Sequence, residues 1–179
     1  MVDRTRNDIV RAFNSLIIKY DMTHITVEMI VKKSGISKAT FYRYFKDKYD
    51  VMNYNYKALL DEFSSPNAST SYLDLYKHLF DYGKKHWKFL QRAFDTQGTN
   101  SLSEYIATYS QELEYTITKQ NRKGKSLTEA EKMQLDVFTV GISVIYSRYI
   151  DETYKLDPDK AALALYQIMP ETLREMWWK

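Results

Sequence analysis

Residues 26–48 read TVEMIVKKSGISKATFYRYFKDK. The stretch divides into two short amphipathic segments around a glycine. Thr26 can cap a helix N-terminus with its hydroxyl. Val27, Ile30, Val31 and Ser34 recur at i, i+3, i+4 and i+7, which sets them along one helical face. Gly35 stands where that helix must stop, and glycine accepts the left-handed conformation such a stop often needs. Ile36 is an apolar pin in the turn, and Ser37 can cap the next helix. In that helix Phe41 and Phe45 lie four apart and point inward together. Lys38, Thr40, Arg43 and Tyr44 are left facing outward, with Tyr42 at the edge. Two helices, a glycine turn and an outward row of Lys, Thr, Tyr and Arg suit a helix-turn-helix, whose second helix enters the DNA major groove.

The order Thr, Ile-Val, Ser-Gly-Ile-Ser, Thr-Phe-Tyr, Tyr-Phe, Lys-Asp-Lys resembles the N-terminal domain of TetR-type transcriptional regulators, and the likeness runs from Arg4 to Phe63. Val31 and Ser34 stand where that family often has alanine, but both are small enough to pack between helices. The resemblance implies a role for each matching position. Thr26 offers its hydroxyl or amide to a phosphate. Ser37 and Lys38 open the recognition helix, with Lys38 reaching guanine or a phosphate. Thr40 meets a base edge or a thymine methyl, and Tyr42 and Tyr44 hold phosphates through their hydroxyls. Arg43 reads a base, because its fork fits guanine bidentately. Lys48 resembles a lysine that clamps the backbone. The partners implied are double-stranded DNA carrying a palindromic operator, a second copy of the chain in a homodimer, and a small-molecule effector of unknown identity. Some short members similar to this chain, those of dihydroxyacetone kinase operons among them, act instead as activators or co-regulators.

Composition is consistent with this reading and excludes others. The chain has 179 residues, 44% hydrophobic and 27% charged, an ordinary balance for a globular protein. Cysteine is absent, so disulfides and thiol chemistry are too, which fits a cytoplasmic location. The longest apolar run, from Val137 to Tyr146, is too short and too mixed for a membrane span of about 20 residues. The net charge of +3 is unevenly placed: residues 1–50 carry +4 and the remainder −1. The positive excess lies in the segment that carries the helix-turn-helix, as expected of a phosphate-binding module.

The whole chain reads as all-α. A first helix is expected from Thr5 to Tyr20, then the helix pair, then a fourth helix capped by Asp47 with a stripe of Tyr49, Met52, Tyr56, Leu59, Leu60 and Phe63. Ser-Ser-Pro-Asn-Ala-Ser-Thr-Ser, residues 64–71, is the clearest loop. It separates a DNA-binding domain, residues 1–63, from a helical regulatory and dimerisation domain, residues 72–179. In the second domain helices are expected over Tyr72 to Lys84 and His86 to Phe94, then a break at Gln97–Asn100. A stripe of Leu102, Tyr105, Ile106, Tyr109, Leu113 and Ile117 follows, and a basic turn after Asn121. Thr128 and Glu131 form a capping box, Asp157-Pro158 opens another helix, and Pro170 kinks or divides it before Trp177-Trp178-Lys179.

Between Val137 and Ile150 apolar residues go nearly all the way round the helix. Such a helix is covered on every side, either because it is central or because a partner covers its outer face. The following helix, with Ala161, Ala162, Leu163, Ala164 and Leu165, has a similarly broad face. The TetR resemblance implies that these two helices pair with their copies, which points to Gly141, Ile145, Leu163 and Tyr166 as dimer contacts. The aromatics of the second domain suggest a ligand cavity, with Trp87, Tyr105, Tyr109 and Phe138 as lining candidates; ordinary core packing explains each of them as well. A helical co-regulator whose second domain binds a protein is the alternative.

No enzyme signature is present. His24, His78 and His86 lack metal-ligand spacing, and the chain has neither a phosphate-cradling glycine loop nor a Gly-x-Ser-x-Gly elbow. No catalytic residue, cofactor or metal is therefore expected.

Overall fold

The 3.6-residue periodicity is realised as a succession of helices in a computed structural model, which describes residues 4–65, 69, 71–95, 101–121 and 126–174. The helices are α1 (Arg4–Ile17), α2 (Val27–Ser34), α3 (Lys38–Tyr44), α4 (Lys48–Phe63), α5 (Tyr72–Lys85), α6 (Trp87–Phe94), α7 (Leu102–Asn121), α8 (Glu129–Ile150), α9 (Pro158–Ile168) and α10 (Glu171–Arg174). A 3-10 turn, Met22–His24, precedes α2. Among the described residues there is no strand, so the fold is all-α. The break at Gln97–Asn100, most of the basic turn after Asn121, part of the 64–71 loop, the side chain of Ile117 and the Trp177–Lys179 end lie outside the described residues.

The chain forms two compact units, Met1–Leu59 with Lys88–Leu102, and Leu60–Trp87 with Ser103–Lys179. In the first, α1 buries Ile9, Ala12, Phe13, Leu16 and Ile17. The helix stops at Ile17 rather than Tyr20, and Ile18 and Tyr20 are exposed. Ile30 of α2 and Phe41 of α3 are fully buried, and Phe45 is nearly so. From α4 come Val51, Met52 and Tyr56, and from α6 Phe89, Leu90, Ala93 and Phe94.

In the second unit α5 buries Tyr72, Leu75, Tyr76, Leu79 and Phe80 and packs against α9 and α8. Gly83 lets α8 come close: a Cβ there stands 2.9 Å from both Ile150 Cδ1 and the Tyr146 hydroxyl. Tyr146, fully buried, donates to the Leu79 carbonyl at 3.0 Å, which satisfies its polar end. Thr139 and Ser143 are buried on α8 and donate back to the Leu135 and Val140 carbonyls. The Thr128–Glu131 capping box forms, Asp157 caps α9 through the Lys160 amide, and Pro170 separates α9 from α10.

The helix-turn-helix owes its shape to local chemistry. The Thr26 hydroxyl accepts from the Met29 amide at 3.2 Å, and the Ser37 hydroxyl from the Thr40 amide at 3.0 Å. Gly35 closes α2 with φ +70°, its amide donating to the Val31 carbonyl at 3.0 Å. A Cβ at Gly35 meets nothing within 4 Å, so replacement there is opposed by backbone conformation alone. Gly35→Ala is expected to lower stability by about 1–2 kcal/mol, and Gly35→Asn by less, because asparagine tolerates the left-handed region. Urea unfolding followed by circular dichroism checks both; an alanine variant as stable as the parent contradicts the account.

Candidate nucleic-acid interface

A seven-residue helix has only two faces to offer, and α3 divides them cleanly. Phe41 is buried, its ring 6.1 Å from that of Phe45, which is itself 5.5 Å from the Tyr54 ring on α4. This anchoring leaves Lys38, Tyr42 and Arg43 exposed and Thr40 and Tyr44 half-exposed. Ser37, at the helix start, is exposed and committed to capping. Thr26 is exposed at the start of α2 and also acts as a cap. Seven of the expected DNA-facing positions thus fall on α3 (Lys38, Thr40, Tyr42, Arg43 and Tyr44) or at the caps of α2 and α3 (Thr26 and Ser37).

Three partners within this unit are not visible in the sequence pattern. The first is Glu28, in the first turn of α2, which accepts a hydrogen bond from the Lys38 ammonium. That hydrogen bond, then the Glu28 charge, holds Lys38 above the ordinary lysine range; the same bond, then a backbone hydrogen bond and the Lys38 charge, holds Glu28 below the ordinary carboxylate range. Both side chains are open to water, so the pair is weak and exchangeable. Any other anion that takes Lys38 has to displace this carboxylate.

The second partner is Arg6 on α1. Its guanidinium stands 5.6 Å from the Tyr44 ring centre and 5.2 Å from that of Tyr54. It bridges the end of α3 to α4 by cation–π contact and explains why Tyr44 is only half-exposed.

The third concerns Lys48, whose ammonium is engaged by backbone carbonyls of the same unit. Its ammonium donates to the carbonyls of Met22 at 2.6 Å, Ile25 at 2.8 Å and Thr23 at 3.3 Å. The Met22 carbonyl also accepts the Ile25 amide at 3.3 Å, and a cation beside the carbonyls that close a helical turn is favoured. Lys48 is half-buried, and burial lowers its pKa, with Asp47 partly opposing. Its protons point into the protein.

The aromatic candidates for an effector site do not share one cavity. Trp87 lines a cleft of about 530 Å³ with Gly83, Lys84, Tyr149, Tyr154 and Leu156 among its walls. Tyr105 and Tyr109 stack 5.9 Å apart on α7, and the Tyr109 hydroxyl is bound to the Asp61 carboxylate. Burial, then that hydrogen bond, holds the Tyr109 phenol well above its ordinary range. Phe138 is buried beside Tyr76, and its edge borders an open apolar groove with Met133, Val137, Gly141 and Ile145. Among the described residues no cluster of His, Asp or Glu is arranged to hold a metal ion, and no helix is long and apolar enough to cross a membrane.

Comparison with known proteins agrees with this geometry. Residues 9–54 match the family model described as bacterial regulatory proteins, tetR family. Residues 70–171 match the model described as transcriptional regulator C-terminal region. No curated protein matches. Among solved structures the chain is similar to the dihydroxyacetone kinase operon activator DhaS, with 17% identity, 98% of this chain and 99% of that one covered, and a TM-score of 0.66. It is also similar to the fatty acid degradation regulator FadR from Bacillus halodurans, with 17% identity, 94% and 96% covered, and a TM-score of 0.62. A TetR transcriptional regulator from Streptococcus agalactiae gives 14% identity, 93% and 94% covered, and a TM-score of 0.65. At these identities the likeness is one of fold.

The Glu28–Lys38 pair generates an expectation. Glu28→Gln removes a charge that DNA repels and releases Lys38, so DNA affinity is expected to rise by roughly 2- to 5-fold at low salt. Fluorescence anisotropy with a labelled duplex measures it. Unchanged or weaker binding shows that Glu28 does not restrain Lys38.

Proposed function

Because the chain belongs to the TetR family of bacterial regulatory proteins, DNA-binding regulators of transcription, we propose that it is a homodimeric repressor whose hold on a two-fold operator is released by a small molecule. DNA binding is assigned to residues 1–63, and regulation and dimerisation to residues 72–179. Such a regulator works where the chromosome is, which places it in the cytoplasm. Repression is the simplest action for this architecture, since a dimer seated on a promoter blocks it with no further contact.

The observation that carries the reading is the outward face of α3, held by Phe41 from within and offering Lys38, Thr40, Tyr42 and Arg43. In this reading Arg43 and Lys38 meet base edges, Thr40 a base edge or methyl, and Tyr42, Tyr44, Thr26 and Ser37 phosphates. Arg43→Ala is expected to cost about 1–3 kcal/mol on the preferred site and to relax choice at one base step. Selection from a random duplex library, followed by titration of the variant, checks both points. The selected sites are expected to be roughly palindromic, with half-sites one or more helical turns apart. Enrichment of nothing, or equal losses on selected and scrambled sites, counts against the assignment.

Support for the dimer comes from α8 and α9. Met133, Val137, Val140 and Val144 on α8, with Leu163 and Ile168 on α9, are exposed large apolar side chains. A groove of about 610 Å³ is lined by Met133, Val137 and Ile168 of these, with Gly141, Ile145 and Leu165. Opposite, α8 buries Leu135, Phe138, Ile142, Tyr146 and Ile150, so the central-helix alternative leaves its outer face unaccounted for. Leu163 is exposed, whereas Tyr166 is half-buried beneath the Arg174 guanidinium, 5.6 Å from its ring. A Cβ at Gly141 meets nothing within 4 Å, so no contact within the subunit requires glycine there. Glycine inside a helix costs about 1 kcal/mol relative to alanine, and close approach of a partner helix offsets it. For the effector we propose the Trp87 cleft, whose volume suits a small molecule and whose walls mix aromatic and charged groups.

Gly141→Leu is expected to give a folded monomer with weakened DNA binding, and Gly141→Ala to leave the fold intact. Sedimentation at micromolar concentration distinguishes them; a leucine variant that remains a dimer removes Gly141 from the seam.

A further inference from the structure

The 3-10 turn Met22–His24 leads directly into α2. It is gripped from two directions. From the start of α4, Lys48 donates to the carbonyls of Met22, Thr23 and Ile25. From α6, Arg92 forms an ion pair with Asp21, the residue immediately before the turn. Asp21 occupies the capping position of the turn, yet its carboxylate makes no capping hydrogen bond and is available to Arg92. The turn is also pinned inward by Met22 and Ile25, which are 3% and 1% exposed. Thr26, the cap of α2 and a candidate phosphate contact, follows Ile25 directly. Whatever fixes the carbonyl of Ile25 therefore fixes where α2 begins. His24 Nδ1 also lies 3.9 Å from the Asp21 carboxylate, and Asp47 stands beside Lys48.

We propose that Lys48, Asp21 and Arg92 are positioning residues for DNA recognition, which clamp the 21–25 turn and so set the helix-turn-helix, while none of the three touches DNA. The proposal rests on the reading that the α2–α3 face meets DNA. The Lys48 ammonium has three protons, and three carbonyls surround it. A phosphate gains it only at the loss of those bonds and of the turn they hold. The two clamps differ in strength. Lys48 is half-buried and bonds to backbone, whereas Arg92 and Asp21 are 41% and 52% exposed and form a surface pair. The surface pair matters through its location: within this unit it ties α6, distant in the chain, to the turn that leads into α2.

The test uses the full chain and a duplex obtained by the library selection, at a temperature where circular dichroism shows every variant folded. Lys48→Met keeps the apolar stem and removes the ammonium. It is expected to weaken binding by at least about 10-fold while leaving the slope of log affinity against log salt unchanged. Hydrogen exchange is expected to speed up at the amides of residues 25–29 in the free protein. A slope smaller by about 0.9 with unaltered exchange means that Lys48 contacts a phosphate, and overturns the proposal. Asp21→Asn and Arg92→Gln are each expected to weaken binding about 2- to 5-fold, with the double variant no worse than either single one. The exchanged pair Asp21→Arg with Arg92→Asp is expected to recover affinity. Additive losses, or no loss, overturn the part assigned to Arg92. Parent protein that enriches no duplex overturns instead the DNA-binding reading on which the proposal rests, and is read before any variant.

Discussion

Helix α3 is too short to stand alone. Isolated helices below roughly 12–15 residues are marginal in water, and α3 has seven. Its existence depends on what surrounds it: a Ser37 cap at one end, the buried ring of Phe41 beneath, and Phe45 closing the other end. Because these contacts fix one face inward, the opposite face is fixed outward. The presentation of Tyr42 and Arg43 to solvent follows from the burial of Phe41 and from the pitch of the helix.

The same economy extends to the start of α2. Thr26 and Ser37 use their hydroxyls to cap helices, and the same positions belong to the proposed DNA-facing surface. Lys48 stabilises the turn before Thr26 from the opposite side. Two positions of the proposed surface therefore also close short helices. Changes there alter the fold and the surface together, and experiments have to separate the two.

In the second unit one helix meets two requirements. The inner face of α8 carries Tyr146 and Ile150 against α5, where Gly83 allows the helices to approach. Its outer face carries Met133, Val137, Val140 and Val144 into water. A contiguous exposed apolar groove is uncommon on a monomer and marks an interaction surface.

The all-α class, the caps at Thr26, Ser37, Thr128 and Asp157, the glycine stop at Gly35 and the outward face of α3 were legible in the sequence, because each is governed by residues within about two turns of one another. The two-sided apolar pattern of α8 was legible too, but its division into a buried and an open face was not. Periodicity reports how apolar a face is and says nothing of what covers it. The tertiary structure alone decided the rest. Lys48 lies 23 residues or more from the carbonyls it binds, and Glu28 lies ten from Lys38, on another helix. The aromatics Trp87, Tyr109 and Phe138 looked alike as sequence, yet packing sent them to a cleft, to a carboxylate and to the edge of an open groove. Side-chain chemistry states what a group is able to bind. Only the folding of distant segments against one another determines which partner it meets.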